Sequence, residues 1–237
     1  QRNYCKSFSR DRIGTRNPHR FKKQPLEEQE LNGKRYVFVP FQVCFDSQVL
    51  INSNWIRSME KFYDVLESVV ESIADPDLYF VIKEHPSDPK GYRFLYDRHP
   101  KIIFSGKNTE QLIRESLGVL TINSSVGMES LLLEKEVIVV GEACYRVPDL
   151  VLSANTELEL TCAVNKLSQG WCPNEEVLKG FVNYISRDYA VPGAWQKQQL
   201  SVNRAHLAGV SAKIAAKLSY LKGESFELTE ERQQLVS

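Results

Sequence analysis

The sequence predicts an α/β fold, a mainly parallel sheet with helices on both faces followed by a helical carboxyl-terminal part. Two patterns predict it. Short apolar runs rich in β-branched and aromatic residues recur from Tyr36 to Val140 and read as buried strands. Stretches with a 3.6-residue apolar period lie between them, and strands that alternate with helices imply parallel pairing. After Gly141 the pattern becomes helical.

Residues 1–34 begin with a basic stretch in which Arg2, Lys6, Arg10, Arg12, Arg16, Arg20, Lys22 and Lys23 stand against the single acid Asp11. It carries no apolar period. It is either a linker or peripheral segment, or a basic surface for an anionic acceptor or lipid headgroups. A turn signal, Asn32-Gly33, precedes the first strand, expected over 36–40 and stopped by Pro40. Asn52, Ser53 or Asn54 can cap the next helix, whose apolar positions run from Ile56 through Met59, Phe62, Tyr63, Leu66, Val69 and Val70 to Ile73. Asp75-Pro76-Asp77 ends it. A strand over 78–82, a short helical segment over 92–96, a strand over 101–104 and a helix over 110–115 follow. Then come a strand over 118–122, a loop, a helix from Met128 and a strand over 137–140. Helices are expected over 156–167, 174–189 and 202–221, the last with Leu207, Val210, Ile214 and Leu218 on one stripe. Residues 35–222 are thus expected to form one domain, and the charged residues 223–237 a flexible tail.

If the sheet is parallel, the loops after the strands at 36–40, 78–82 and 118–122 leave the same edge, where ligands of such sheets bind. The first loop supplies Gln42, Asp46 and Gln48. The second supplies Lys83, Glu84, His85 and Pro86, and the third Asn123, Ser124, Ser125 and Gly127, with Glu129 one helical turn on. Two hydroxyls and a glycine where a loop becomes a helix gather N–H donors at the positive end of a helix dipole, a place suited to phosphate. Ser124 or Ser125 could equally just cap that helix, and Asp46 could equally serve a turn or cap. A carboxylate beside phosphate-binding donors is nevertheless what group transfer from a nucleotide needs.

The ordered triple Gln42-Val43-x-x-Asp46-Ser47-Gln48, Lys83-Glu84-His85-Pro86 and Asn123-Ser124-Ser125-Val126-Gly127-Met128-Glu129-Ser130-Leu131 resembles the capsule polysaccharide biosynthesis family. Characterised members of the KpsC/KpsS type are retaining β-Kdo transferases that use CMP-Kdo. The His-Pro and Ser-Ser elements also look like the CMP-binding motifs of bacterial sialyltransferases. This resemblance covers residues 36–145. It implies a GT-B type glycosyltransferase with two facing Rossmann-like halves, of which this chain fits the nucleotide-sugar-binding half, with a CMP-sugar donor as substrate and no metal or other cofactor. It also implies that the amino-terminal acceptor domain is missing here. By the same resemblance Ser124, Ser125 and His85 bind the CMP phosphate with Lys83 as helper, and Glu129 takes the ribose hydroxyls. Asp46 is then the nucleophile, flanked by Gln42 and Gln48, and the acceptor is a surface glycan or glycolipid.

Composition narrows the partners. Lys plus Arg and Asp plus Glu both number 30 in 237 residues, so no global charge favours nucleic acid. No apolar run approaches the roughly 20 residues of a membrane span, which leaves peripheral contact with the cytoplasmic face of the inner membrane. Cys5, Cys44, Cys144, Cys162 and Cys172 show no paired spacing and read as reduced thiols of a cytoplasmic protein, with no metal site. Two other readings stand: a UDP- or GDP-sugar transferase or epimerase of the same fold, and a non-catalytic nucleotide-binding half of a polysaccharide assembly protein.

Overall fold

The computed structural model of the chain describes residues 31, 33–191 and 200–221, and in the last segment the side chains of residues 206–219. The basic stretch and the charged tail expected from the sequence lie outside the described residues. The chain divides into two compact units, Gln1–Cys172 and Pro173–Ser237. This division falls inside the range 35–222 expected to be a single domain, at the point where the last sheet-covering helix has ended.

The first unit is a six-stranded sheet with every pair parallel. Its strands are β1 (Arg35–Pro40), β2 (Leu78–Lys83), β3 (Ile102–Phe104), β4 (Gly118–Thr121), β5 (Val137–Val139) and β6 (Leu152–Ser153), in the order β3-β2-β1-β4-β5-β6. Alternation along β1 builds two cores. Val37 and Val39 join one, while Tyr36 and Phe38 join the other. The first core is covered by α2 (Met59–Val70) and α5 (Glu157–Ser168), the second by α3 (Thr109–Glu115) with Leu112 and Ile113, and by Val126 of α4 (Ser125–Leu132). Seven side chains of α2 are buried, and at about 1.5–3 kcal/mol for each large one packing outweighs helix propensity in holding it. A polar contact secures the far side, where the Tyr36 hydroxyl donates to the Leu112 carbonyl at 3.1 Å.

Several local expectations are corrected. The cap of α2 is Ser58, whose hydroxyl accepts the Lys61 N–H at 3.1 Å, rather than a residue of 52–54. The carbonyl of Asn52 is instead taken by other parts of the sheet edge. Residues 47–51, read as loop, form a short helix α1 (Ser47–Ile51). The strand β6 was not expected, because two residues carry no readable period. In the second unit the helix expected over 174–189 is α6 (Glu175–Asn183) continued by a π-helical turn (Tyr184–Tyr189), and α7 spans Leu200–Leu221. The stripe on α7 does not form a core: Leu207, Ile214 and Leu218 are exposed.

Candidate functional site

In this strand order the direction of winding reverses between β1 and β4, the switch point at which ligands of doubly wound sheets bind. Four of the sequence-derived residues, Gln42, Asp46, Gln48 and Asn123, meet there. Asp46 is the N-cap of α1: one carboxylate oxygen accepts the Gln48 N–H at 2.9 Å and the other accepts from Gln42 Nε2 at 3.1 Å. Gln42, only 4% exposed, donates through the same nitrogen to Asn123 Oδ1 at 3.0 Å and accepts the Asn123 N–H at 3.3 Å. Asn123 Nδ2 in turn donates to the carbonyls of Gln48 and Asn52, at 2.9 and 3.2 Å. Both amide side chains therefore use both their donors, and the loops after β1 and β4 become one hydrogen-bonded unit. The Asn52 carbonyl also accepts the Glu142 N–H at 2.8 Å, which brings the end of β5 into the same junction. Gln48 meets Asp46 through its backbone, and its side chain accepts from Asn52 Nδ2 at 2.7 Å.

The start of α4 adjoins this junction. Ser124 caps the helix by accepting the Val126 N–H at 3.2 Å, and its own N–H donates to Thr121 Oγ1 at 3.2 Å. Ser125 stands exposed at the first helical residue and Glu129 is exposed one turn on. Gly127 is buried under the ring of Tyr145, where any side chain would collide.

The loop after β2 lies on the other side of β1 and is held differently. Burial lowers the pKa of Lys83, whose ammonium donates to the Lys107 carbonyl. Glu84 accepts the Tyr92 N–H at 3.0 Å and the Tyr96 hydroxyl at 3.1 Å, so it staples the loop. His85 Nδ1 accepts the Ser87 N–H at 3.1 Å, which puts the proton of the neutral ring on Nε2. Pro86 is exposed. Asp88, 3% exposed, accepts the Tyr92 hydroxyl and the Lys90 N–H, each at 3.0 Å. Burial, and then a hydrogen bond to Asp88, push the Cys44 thiol up. An edge-on contact of Phe41 with Tyr92, at 5.3 Å between ring centres, further joins this loop to the end of β1.

The structure thus bonds Gln42, Asp46 and Asn123 directly, sets Ser124 and Ser125 beside them, and places Lys83, His85 and Pro86 on the neighbouring loop. Sequence reasoning missed Asn52, Asp88 and Tyr145. None carried a signal, since a carbonyl contact and a buried acid leave no pattern in the chain. Among the described residues no group of three His, Cys, Asp or Glu could hold a metal ion, and no helix is long and apolar enough to cross a membrane.

The parallel pairing and strand order define a doubly wound, Rossmann-like α/β domain. The family described as capsule polysaccharide biosynthesis protein matches residues 3–162, well over half of the chain, and the chain belongs to that family. The match reaches beyond the residues 36–145 that carry the resemblance in the sequence. Protein FixF of Sinorhizobium fredii is 40% identical over 161 residues, which cover 68% of this chain and 39% of FixF. Capsule polysaccharide modification protein LipB of Neisseria meningitidis is 32% identical over 129 residues, covering 49% of this chain and 30% of LipB. Capsule polysaccharide export protein KpsS of Escherichia coli is 31% identical over 127 residues, covering 49% and 32%. The chain spans well under half the length of these relatives. Among solved structures, KpsC of Thermosulfurimonas dismutans, a β-Kdo 2,7 transferase, aligns with a TM-score of 0.42 and 24% identity over 60% of this chain and 46% of that one.

Proposed function

We propose that this chain is the nucleotide-sugar-binding half of a retaining glycosyltransferase of capsule polysaccharide synthesis, moving Kdo or a related ulosonic acid from a CMP donor to a surface glycan or glycolipid. One observation carries the reading: in a chain of this family, a carboxylate is tied through Gln42 and Asn123 to a serine-capped helix start at the switch point between β1 and β4. The phosphate of the donor would lie on the Ser125 N–H and the hydroxyls of Ser124 and Ser125, which the helix dipole favours. His85 would donate to it from the neighbouring loop with Lys83 as helper, and Glu129 would accept from the ribose hydroxyls.

Asp46 would act as nucleophile. Its carboxylate oxygen forms a bond to the anomeric carbon as the bond from that carbon to the phosphate oxygen breaks, and the electron pair leaves with CMP. Donors around the phosphate stabilise that growing charge. An acceptor hydroxyl then attacks the same carbon from the opposite face, the ester bond breaks, the Asp46 carboxylate is restored and the hydroxyl proton passes to water or to the phosphate of the departing CMP. Two inversions give retention. No metal takes part in this scheme.

One observation favours a second reading, a binding half whose chemistry resides elsewhere. Both oxygens of Asp46 already accept hydrogen bonds, from Gln48 and Gln42, so the carboxylate has a structural task without any catalysis. Supplying the complete enzyme with donor and no acceptor separates the two. The transferase reading expects one sugar residue added to the peptide that holds Asp46, seen by intact mass and digestion. Calorimetric titration with CMP, UDP and GDP tests the donor, with CMP expected to bind tightest.

A further inference from the structure

We infer that Tyr145 is a positioning residue for the anion-binding end of α4, an inference that rests on the reading that Ser124 and Ser125 hold the donor phosphate. Tyr145 lies in the connection between β5 and β6 and is 3% exposed. Its hydroxyl donates to the Ser124 carbonyl, which also accepts the Gly127 N–H at 3.0 Å. The ring fills the space beside Gly127, where a Cβ would stand 2.4 Å from the hydroxyl oxygen and 2.6 and 2.7 Å from two ring carbons. Hydroxyl and glycine therefore interlock, because the ring reaches Ser124 only where residue 127 has no side chain.

The opposite side of Ser124 is fixed as well. Its N–H is held by Thr121 Oγ1 and its hydroxyl by the Val126 N–H. With carbonyl, N–H and hydroxyl all engaged, the peptide planes around Ser124 are locked, and the N–H of the next residue, Ser125, at the exposed start of the helix, keeps one direction. Tyr145 is itself anchored. Its carbonyl accepts the Val147 N–H at 2.9 Å, and the Arg146 guanidinium bonds Glu142 Oε1 and Asn155 Oδ1, each at 2.7 Å. Burial keeps the phenol protonated far into the alkaline range, so it stays a donor.

The test uses the full chain and Tyr145→Phe, which keeps the ring beside Gly127 and removes only the donor. Amide exchange of Ser125, Val126 and Gly127 should quicken while that of α2 and α5 is unchanged. The Kd for CMP should rise about three- to tenfold, the loss expected for one neutral hydrogen bond acting through the helix end. The Kd for cytidine, which has no phosphate, should not change. Gly127→Ala, which pushes the same ring away, should reproduce the selective loss. Unchanged exchange at the start of α4 overturns the positioning role whatever CMP does. If wild-type protein binds CMP no better than cytidine, the phosphate reading itself has failed, and this inference falls with it. If CMP and cytidine weaken equally in the variant, Tyr145 is only a packing residue.

Discussion

The loop pair at the switch point and the loop after β2 are secured by opposite chemistry. Between β1 and β4 two neutral amides, Gln42 and Asn123, satisfy each other and hold the carboxylate of Asp46. After β2 two acids, Glu84 and Asp88, are bound by the hydroxyls of Tyr96 and Tyr92. Neutral clamps rigidify without adding field, which suits the proposed approach of an anionic donor to the Asp46 carboxylate. Acid clamps bring negative charge, and here that charge is held beneath the outer loop, on tyrosines, while Pro86 stays exposed.

The largest expected effect bears on the carboxylate held by the neutral clamp. Asparagine at 46 can still cap α1 through its single side-chain oxygen, as Asn and Asp are equally good caps, but its amide nitrogen cannot accept from Gln42 Nε2, so one bond of the clamp is lost. Asp46→Asn in the complete enzyme should therefore lower stability by about 1 kcal/mol and leave CMP affinity near native while transfer falls by a factor on the order of 10⁴. Near-native transfer in that variant would show that Asp46 is a cap and nothing more.

Next in size is the clamp itself. Gln42→Leu keeps volume but leaves Asn123 and Asp46 with unpaired polar atoms, and urea unfolding should show a loss of about 2–4 kcal/mol. Glu84→Gln in the other loop keeps an acceptor for Tyr96 and should lose only about 1 kcal/mol. Equal losses would mean that the two regions do not differ as described.

Ligand affinity separates the regions more gently. His85→Ala and Ser124→Ala should each weaken CMP binding by about 1–3 kcal/mol. Ser124→Ala should also lower stability by about 1 kcal/mol through loss of the α4 cap, whereas His85→Ala should lower it less. Calorimetry and thermal melts on the same samples would distinguish the two.

The smallest effect concerns the tyrosines. Burial pushes Tyr63 up to about 12 and Tyr92, Tyr96 and Tyr145 higher still, the first two further raised by Asp88 and Glu84. An unfolded phenol titrates near about 10, so between the two values the unfolded chain holds fewer protons and stability falls as pH rises. Tyrosinate absorbance from these groups should appear together with loss of helical circular dichroism. Absorbance that rises while the fold persists would show that burial is weaker than described.

The sheet was largely legible because its strands are short, β-branched and separated by strong helical periods, as at Val37-Phe38-Val39 and Phe62 to Val70. Convergence of three loops followed from parallel pairing alone. What the chain concealed is how those loops are joined. Gln42 and Asn123 are far apart in sequence, and nothing local distinguishes an amide that clamps from one that faces solvent. The helix α1 is too short to show a period, and so the cap role of Asp46 stood only as one alternative. Gly127 was read for phosphate approach, yet its immediate neighbour is a tyrosine from another connection. On α7 the apolar spacing was correct as a stripe and uninformative about what the stripe faces.

The pairing of β1 also sets an order of events. Arg35 to Pro40 pair with residues 78–83 on one side, and Val37 and Phe38 pair with Gly118 and Val119 on the other. As a nascent chain lengthens, the β1–β2 half can assemble first, with one edge of β1 still open to water. Contacts of such separation slow folding, and an open apolar edge invites association with other chains. Since the switch point between β1 and β4 exists only once β4 has docked, the candidate site and the protection of that edge arise in the same late step. Ligand present during refolding should therefore speed nothing before β4 is in place, and should then act chiefly by slowing unfolding.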